Sequence, residues 1–124
     1  MSKIVKAINV MVSNQNLITN VIRGAHDTEF FFIYDQKHTW SILRTSTDGF
    51  ILRYYPGDVD IAMIASITDE EWMDHEPTNV MYSSKDLGTK EAHESLKDLY
   101  NIAQEKVFGM DDVLDDIIES DVPF

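Results

Sequence analysis

The chain has 124 residues, of which 22 are acidic, 10 are basic and none is cysteine. This length predicts a single domain over residues 1–124 with its own hydrophobic core, and the missing cysteines exclude a disulfide framework, a thiolate zinc site and a cysteine nucleophile. A formal charge of −12 argues against direct contact with nucleic acid or an anionic membrane, because both need clustered lysine and arginine.

The first predicted element is a helix over residues 3–12. Within it, Ile4, Ile8 and Met11 recur at helical spacing and form one apolar side. A strand over residues 5–12 is the alternative.

A second short helix is expected next, because Ser13 or Asn14 offers an N-cap. Gly24 would end it as a helix C′ residue. The apolar side of this helix would comprise Leu17, Ile18, Val21 and Ile22. The two predicted helices also fit one bent helix.

Three strand-like runs follow, each rich in aromatic and β-branched residues: EFFFIY over Glu29–Tyr34, HTWSILRT over 38–45 and FILRYY over Phe50–Tyr55. Turn sequences separate the runs at residues 35–37 and at Asp48-Gly49, and Pro56-Gly57 ends the third run. This pattern predicts an antiparallel three-stranded meander.

The middle of the sequence is less regular. Residues 60–67 are apolar and fit either a buried strand or a short helix. Thr68 followed by Glu71 is a capping box, which predicts a brief helix that carries Trp72 and ends before Pro77. Residues 79–82 fit one more strand at the sheet edge.

Two helices are predicted in the last third of the sequence. Thr89 caps the first, whose apolar stripe comprises Ala92, Leu96, Leu99 and Ala103. Gly109 separates it from the second, over residues 111–120, whose apolar side comprises Val113, Leu114, Ile117 and Ile118. We therefore expect an α+β fold: a three-strand meander over about residues 29–55, with room for one or two more strands, packs against N-terminal and C-terminal helices.

The negative charge is concentrated in the second half of the chain. Residues 1–56 hold four acidic and six basic residues, a net charge of +2, whereas residues 57–88 and 89–124 each carry −7. Such an asymmetry is a pointer to electrostatic contact with a partner. Ordinary solubility is the other interpretation.

The sequence contains no stretch that approaches the roughly 18 to 20 consecutive apolar residues of a membrane span. The apolar run near the start is broken by Asn9 and Ser13, and no small-residue cleavage pattern follows it. We therefore expect a cytoplasmic location.

His26-Asp27 with Glu29 is the most catalytic-looking cluster, because a carboxylate beside an imidazole orients a general base. No Gly-x-Ser-x-Gly elbow, glycine-rich phosphate loop or His-Glu-x-x-His pair accompanies it. We expect no enzymatic activity and keep an enzyme using these three residues as an alternative.

Residues 69–76 contain six potential metal ligands: Asp69, Glu70, Glu71, Asp74, His75 and Glu76. Hard cations prefer carboxylates, and histidine would admit a transition metal. However, the spacing matches no EF-hand loop, and the side chains diverge on a short helix. We expect a solvated acidic turn, with no metal and no cofactor.

The aromatic residues of the predicted sheet are of the kind that stack on nucleic-acid bases. Few basic residues stand near them, namely Lys37, Arg44 and Arg53. The remaining charge opposes phosphate, so we expect these rings to pack in the protein and expect no direct nucleic-acid binding.

Residues 115–124 read DDIIESDVPF. This end resembles the acidic C-terminal tip of bacterial single-stranded-DNA-binding proteins, which typically has several aspartates followed by Ile-Pro-Phe. In that family the tip docks into basic-rimmed pockets on replication and repair proteins. The resemblance implies that Phe124 fills an apolar pocket and that Asp121 contacts its rim. It covers residues 116–124, departs from the family at Val122, and does not extend to the family's nucleic-acid-binding domain.

These observations favour a small acidic, non-enzymatic module that neutralises or holds a partner protein with a basic surface, as immunity or anti-defence inhibitors do, including those that mimic nucleic acid. Besides the enzyme, the alternatives are an adaptor acting through the Asp-Val-Pro-Phe tip and a secretion-type chaperone, which this chain resembles in size, acidity and helix–three-strand–helix order. The apolar strip of the last helix also permits a homodimer.

The residues expected to contact the partner come from two acidic segments and the final phenylalanine: Asp69, Glu70, Glu71, Asp74, Glu76, Asp111, Asp112, Asp115, Asp116, Glu119, Asp121 and Phe124. Asp116 and Glu119 stand late in their helix, where the helix dipole disfavours acids, so we expect a role for them other than helix stability. If the two segments share one face of the protein, their charge indicates a binding surface. If they point apart, it indicates solubility.

Overall fold

The structure, a computed structural model, describes residues 2–25 and 28–121. Within these ranges the chain forms six α-helices and five strands: α1 (Lys3–Ser13), β1 (Ile18–Arg23), β2 (Glu29–Tyr34), β3 (His38–Arg44), β4 (Phe50–Tyr55), α2 (Ile61–Ala65), α3 (Asp69–Asp74), β5 (Val80–Ser83), α4 (Ser84–Leu87), α5 (Lys90–Val107) and α6 (Met110–Ser120). A short 3₁₀ turn, Gln15–Leu17, joins α1 to β1.

The strands form one antiparallel meander in the order β1-β2-β3-β4-β5. The prediction of an α+β fold, with helices from both ends of the sequence packed on an antiparallel sheet, is confirmed. Strands β2, β3 and β4 are the three predicted runs, and β5 is the predicted edge strand. The apolar segment at residues 60–67, for which strand and helix were both open, forms α2.

Alternation along β2 gives the sheet two apolar faces. Phe30 and Phe32 pack into the main core with residues of α1 and α5, and we call this side the core face. Phe31 lies on the other side with Tyr55 and residues of α2, and we call this side the second face. The main core therefore lies between the sheet and the α1–α5 pair.

The order of the helices across the core face follows from the rings that α5 contacts. Its first half places His93 against Phe50 of β4, its middle places Tyr100 against Phe30 of β2, and Phe108 just beyond it meets Arg23 of β1. Helix α5 thus crosses the strands at the end of the sheet where β2 begins and β3 ends. Helix α1 packs beside it, with Asn9 accepting a hydrogen bond from Ser95.

The helix predicted after Ser13 is wrong, because residues 18–23 form strand β1. The pairing with β2 shifts register between Thr19 and Ile22, where Asn20 has a φ of 54°. This bulge inserts one residue, so Ile18 and Val21 both join the main core while Ile22 joins the second face. Apolar residues at i, i+3 and i+4 therefore imitate helical spacing inside a strand.

Gly24 consequently does not end a helix; it follows β1. A Cβ atom at this position would lie 2.7 Å from Cε1 of Phe31. Its amide donates a 2.9 Å hydrogen bond to the carbonyl of Glu29. Glycine is required here because the Phe31 ring lies directly against the backbone.

The predicted N-caps of α3 and α5 are confirmed. Thr68 Oγ1 accepts a hydrogen bond from the amide of Glu71 at 3.3 Å, and Thr89 Oγ1 accepts one from the amide of Ala92 at 3.1 Å. The stripe of α5 predicted from Ala92 to Ala103 is fully buried against the sheet. These caps and the apolar stripe fix where α3 and α5 begin and which side of α5 faces the core.

We predict that Leu96→Ala destabilises the protein by about 2–5 kcal/mol, because removal of a fully buried leucine side chain leaves a cavity. Urea unfolding monitored by circular dichroism measures the change. Met73→Ala is the matched control, since Met73 is 86% exposed and a surface change costs within about 0.5 kcal/mol. Equal losses in the two variants would contradict the described core.

Candidate functional site

Helix α6 has an apolar side that the described chain leaves about half exposed. Residues 111–120 are all exposed. The four aliphatic side chains Val113, Leu114, Ile117 and Ile118 keep between 44% and 70% of their surface in solvent. Helix α6 begins at Gly109, whose φ is 62°, and packs against α5. Neighbouring exposed aliphatic side chains of this kind mark a contact surface.

The other side of α6 is acidic, and its later acids work against the stability of the helix. Its sequence, MDDVLDDIIES, contains five acids and no base. Asp111 with Asp115, and Asp115 with Glu119, are like charges at i,i+4 spacing, which destabilises a helix by about 0.2–0.5 kcal/mol per pair. Asp116 and Glu119 also lie near the negative end of the helix dipole. Asp111 and Asp112 lie in the first turn, where acids suit the dipole, so the stability of α6 leaves Asp116 and Glu119 unexplained.

The second acidic segment, residues 69–76, lies elsewhere. It forms α3 and the turn after it, and Trp72 of α3 packs on the second face of the sheet. Helix α6 instead follows α5, which covers the core face. The two acidic segments are thus carried by helices on opposite faces of the sheet, which for the two segments together indicates solubility and not one shared binding surface.

Several acids of residues 69–76 have local roles. Asp69, Glu70 and Glu71 occupy the first turn of α3, where acids suit the helix dipole. Glu71 also accepts a hydrogen bond from the hydroxyl of Thr68, and Glu76 accepts one from the side-chain amide of Asn79. Local structure accounts for much of this segment, in contrast to α6.

No three histidine or acidic side chains among residues 2–25 and 28–121 are placed to hold a metal ion together. Asp74 is the last residue of α3 and His75 is its C-cap, and neither belongs to such a group within these ranges. Over the same ranges, no helix combines the length and the apolar character needed to cross a membrane.

A polar cluster is buried on the second face of the sheet. Glu29 accepts hydrogen bonds from Ser41 Oγ at 2.9 Å and from Arg53 Nη1 at 3.1 Å. Ser41 Oγ also lies 2.9 Å from the hydroxyl of Tyr55, and the Arg53 guanidinium stacks over the Trp72 ring. Burial raises the pKa of the Tyr55 phenol to about 12.

This cluster bears on the enzyme alternative. Glu29 is buried and has a cation and a hydroxyl as partners. His26 and Asp27 lie outside the described residues, so their arrangement around Glu29 stays a prediction. The observed partners give Glu29 a structural role, because they neutralise its charge inside the protein.

An apolar groove lies on the core face, beyond α1 and away from α5. It has a volume of about 460 Å³, within the roughly 300–1,000 Å³ typical of binding clefts. Its floor consists of residues at the end of the sheet that α5 does not reach: Tyr34, His38, Trp40, Tyr54, Val80 and Tyr82. Ala7, Val10 and Met11 of α1 form its wall.

The groove is missing from the sequence-based prediction, which treated the sheet aromatics as packed. The pairing that brings them together is Trp40 opposite Tyr54, and Tyr54 opposite Val80. The rings of Trp40 and Tyr54 lie 5.0 Å apart. Within the described chain, the buried indole N–H of Trp40 has no acceptor. The sequence did show aromatic residues in several strands. It could not show which of them α1 and α5 cover and which line the groove.

Comparison of the chain with known protein families, with curated proteins and with solved structures found no match. The resemblance of residues 116–124 to the tip of single-stranded-DNA-binding proteins therefore stays a prediction. Asp121 is exposed directly after α6, and Phe124 lies outside the described residues. The function is thus inferred from the geometry of α6, the groove and the polar cluster.

We predict that Glu29→Gln lowers the free energy of unfolding by about 1.5–3 kcal/mol, the range for hydrogen bonds to a charged group. The reason is that Arg53 keeps its charge in a mostly buried position while its partner becomes neutral. Asp35→Asn is the control, because the Asp35–Lys37 pair is exposed and 3.8 Å apart, and such a pair contributes at most about 1 kcal/mol. Urea unfolding at neutral pH measures both. A loss no larger than that of the control would contradict a structural role for Glu29.

We also predict that Tyr55 makes the protein sensitive to high pH. Its folded-state pKa of about 12 lies above the ordinary tyrosine pKa of 10.0, so the stabilisation by the neutral phenol is complete below pH 10 and is lost as the pH rises toward 12. Between pH 8 and pH 11 the wild type should lose about 1 kcal/mol more stability than Tyr55→Phe. Urea unfolding at the two pH values measures the difference, and equal losses would refute it.

Proposed function

We propose that the protein is a non-enzymatic binding module that holds another protein through α6. The partner would present an apolar strip bordered by lysine or arginine. The observation that supports this proposal is the exposed aliphatic strip of α6 beside its acidic side.

The two sides of α6 would contribute differently to binding. Complete burial of an aliphatic side chain contributes about 1.5–3 kcal/mol, and the four side chains in α6 are about half exposed. Their burial by a partner is thus worth about 3–6 kcal/mol in total. The acids would speed association and exclude acidic proteins, because charge complementarity acts mainly on the rate of encounter and on specificity.

This proposal narrows the expected set of partner-contacting residues. The partner-contacting residues proposed in α6 form one surface. Asp121 and Phe124 come after α6 in the sequence. The expected contact residues within 69–76 are carried on the opposite face of the sheet, and all but Asp74 have the local roles described above, so we assign this segment to solubility and to the structure of α3. Neutralisation of a basic partner would then depend on the acids of α6.

The wider classes named for this chain remain proposals. An inhibitor of the immunity or anti-defence type, an adaptor and a secretion-type chaperone would all use a surface of this composition. They differ in whether the tip is needed and in what the partner is. A cytoplasmic location likewise remains a proposal.

We predict that the double variant Ile117→Ser with Ile118→Ser reduces capture of partner protein from lysate of the native host at least 10-fold, because it removes the two most exposed apolar side chains of α6. Quantitative mass spectrometry of the captured proteins measures the change. Met73→Ser is the control, since it removes an exposed methionine from α3. Proteins captured equally by all three forms would contradict the proposal.

The contribution of the acids is measured in the same assay. Asp115→Asn with Asp116→Asn should weaken capture at low salt and leave it less sensitive to salt than the wild type, because fewer charges are then screened. Deletion of Pro123-Phe124 separates the two possible anchors. If the deleted form still captures the partner, α6 is supported as the anchor. If the deletion abolishes capture and neither double variant changes it, the proposed role of α6 is contradicted.

A further inference from the structure

The groove is a place where the helix layer of the protein is incomplete. Across the core face the layer consists of α5, then α1 beside it, and then the open strip over Trp40, Tyr54 and Val80. Sheet faces with large apolar side chains are normally covered by another layer. An α-helix is about 10 Å wide, and the open strip runs along the outer side of α1. The groove therefore lies where a third helix of this layer would pack, beside α1.

The edge of the groove along α1 is positive. Lys3 and Lys6 precede the wall residues Ala7 and Val10 by four positions, so each lies one turn from the groove on α1. Both lysines are exposed, and the sequence of α1, KIVKAINVMVS, contains no acid. At the other end of the groove, Lys37 stands next to the lining residue His38 and is 3.8 Å from Asp35.

Helix α6 has the opposite properties. Its aliphatic strip matches the apolar lining of the groove, and its acids are opposite in charge to the lysines of α1. In its own chain, α6 follows Phe108, which contacts Arg23 at the end of the sheet away from the groove. The chain's own α6 therefore lies apart from this groove, whereas a second copy can approach it freely.

We propose that the groove receives α6 of a second copy of this chain. Ile117 and Ile118 would lie over Trp40 and Tyr54, and the acids of α6 would meet the lysines of α1. Two copies related by a two-fold axis make this contact twice, which closes the assembly as a dimer. The inference rests on the proposed function in one respect: the same strip of α6 would be held in the dimer until a partner protein displaces it.

Sedimentation analysis of the purified full chain, over a range of concentrations at low and high salt, tests the dimer. We expect a monomer–dimer equilibrium that weakens with salt. Val10→Glu and Ile117→Asp should each weaken the dimer at least 10-fold. Because Val10 is 52% exposed, the first variant keeps its fold, which circular dichroism verifies, and Met73→Glu serves as the charge control.

Mixing the two variants gives the sharpest result. Val10→Glu has a blocked groove and an intact α6, whereas Ile117→Asp has an open groove and a blocked α6. The mixture should therefore form a heterodimer through one contact, although neither variant dimerises by itself. Absence of the heterodimer, a monomeric wild type at all concentrations, or a dimer that tolerates Val10→Glu would each overturn the inference.

The outcome is separable from that of the proposed function. Val10→Glu leaves α6 intact, so it should still capture the partner. A monomeric wild type that captures a partner through α6 would overturn the dimer and leave the proposed function standing. Loss of capture in Val10→Glu from a monomeric wild type would assign the groove to the partner and also overturn the dimer.

Discussion

Strand β2 is apolar on both of its sides, and the arrangement of the helices depends on this constraint. Phe30 and Phe32 face α1 and α5, whereas Phe31 faces α2 and Trp72. Leaving such a ring in water forgoes roughly 1.5–3 kcal/mol of burial, so both faces of the sheet need a cover. Helices from both ends of the sequence supply the cover of the core face, and the segment between β4 and β5 supplies that of the second face.

The two faces are covered by different means. On the core face, α1 and α5 lie across the strands and bury a continuous apolar layer, but two helices do not reach the end of the sheet. On the second face, the short helices α2 and α3 leave room for the cluster of Glu29, Ser41, Arg53 and Tyr55, whose polar groups satisfy one another. The groove and the polar cluster are thus consequences of how far each cover extends.

The net charge of −12 has two different physical meanings in this fold. In α3, Asp69, Glu70 and Glu71 stand in the first turn, and Glu71 also takes part in the cap, so these three acids stabilise local structure. In α6 the acids repel one another, and Asp116 and Glu119 also oppose the dipole, beside an aliphatic strip that is left about half exposed. Charge that is retained against the stability of its own helix points to a contact outside the chain, and the lysines of α1 offer charges of the opposite sign.

The sequence predicted the elements whose signals are local: the strands β2 to β4, the caps of α3 and α5, and the two sides of α6. It failed at Ile18, Val21 and Ile22, because a bulge in β1 gives a strand the apolar spacing of a helix. Two features became visible in the fold alone: the two acidic segments lie on opposite faces of the sheet, and Trp40 and Tyr54 form an open groove. Those facts depend on strand pairing and on how far α1 and α5 extend across the sheet, which are long-range properties that no local pattern encodes.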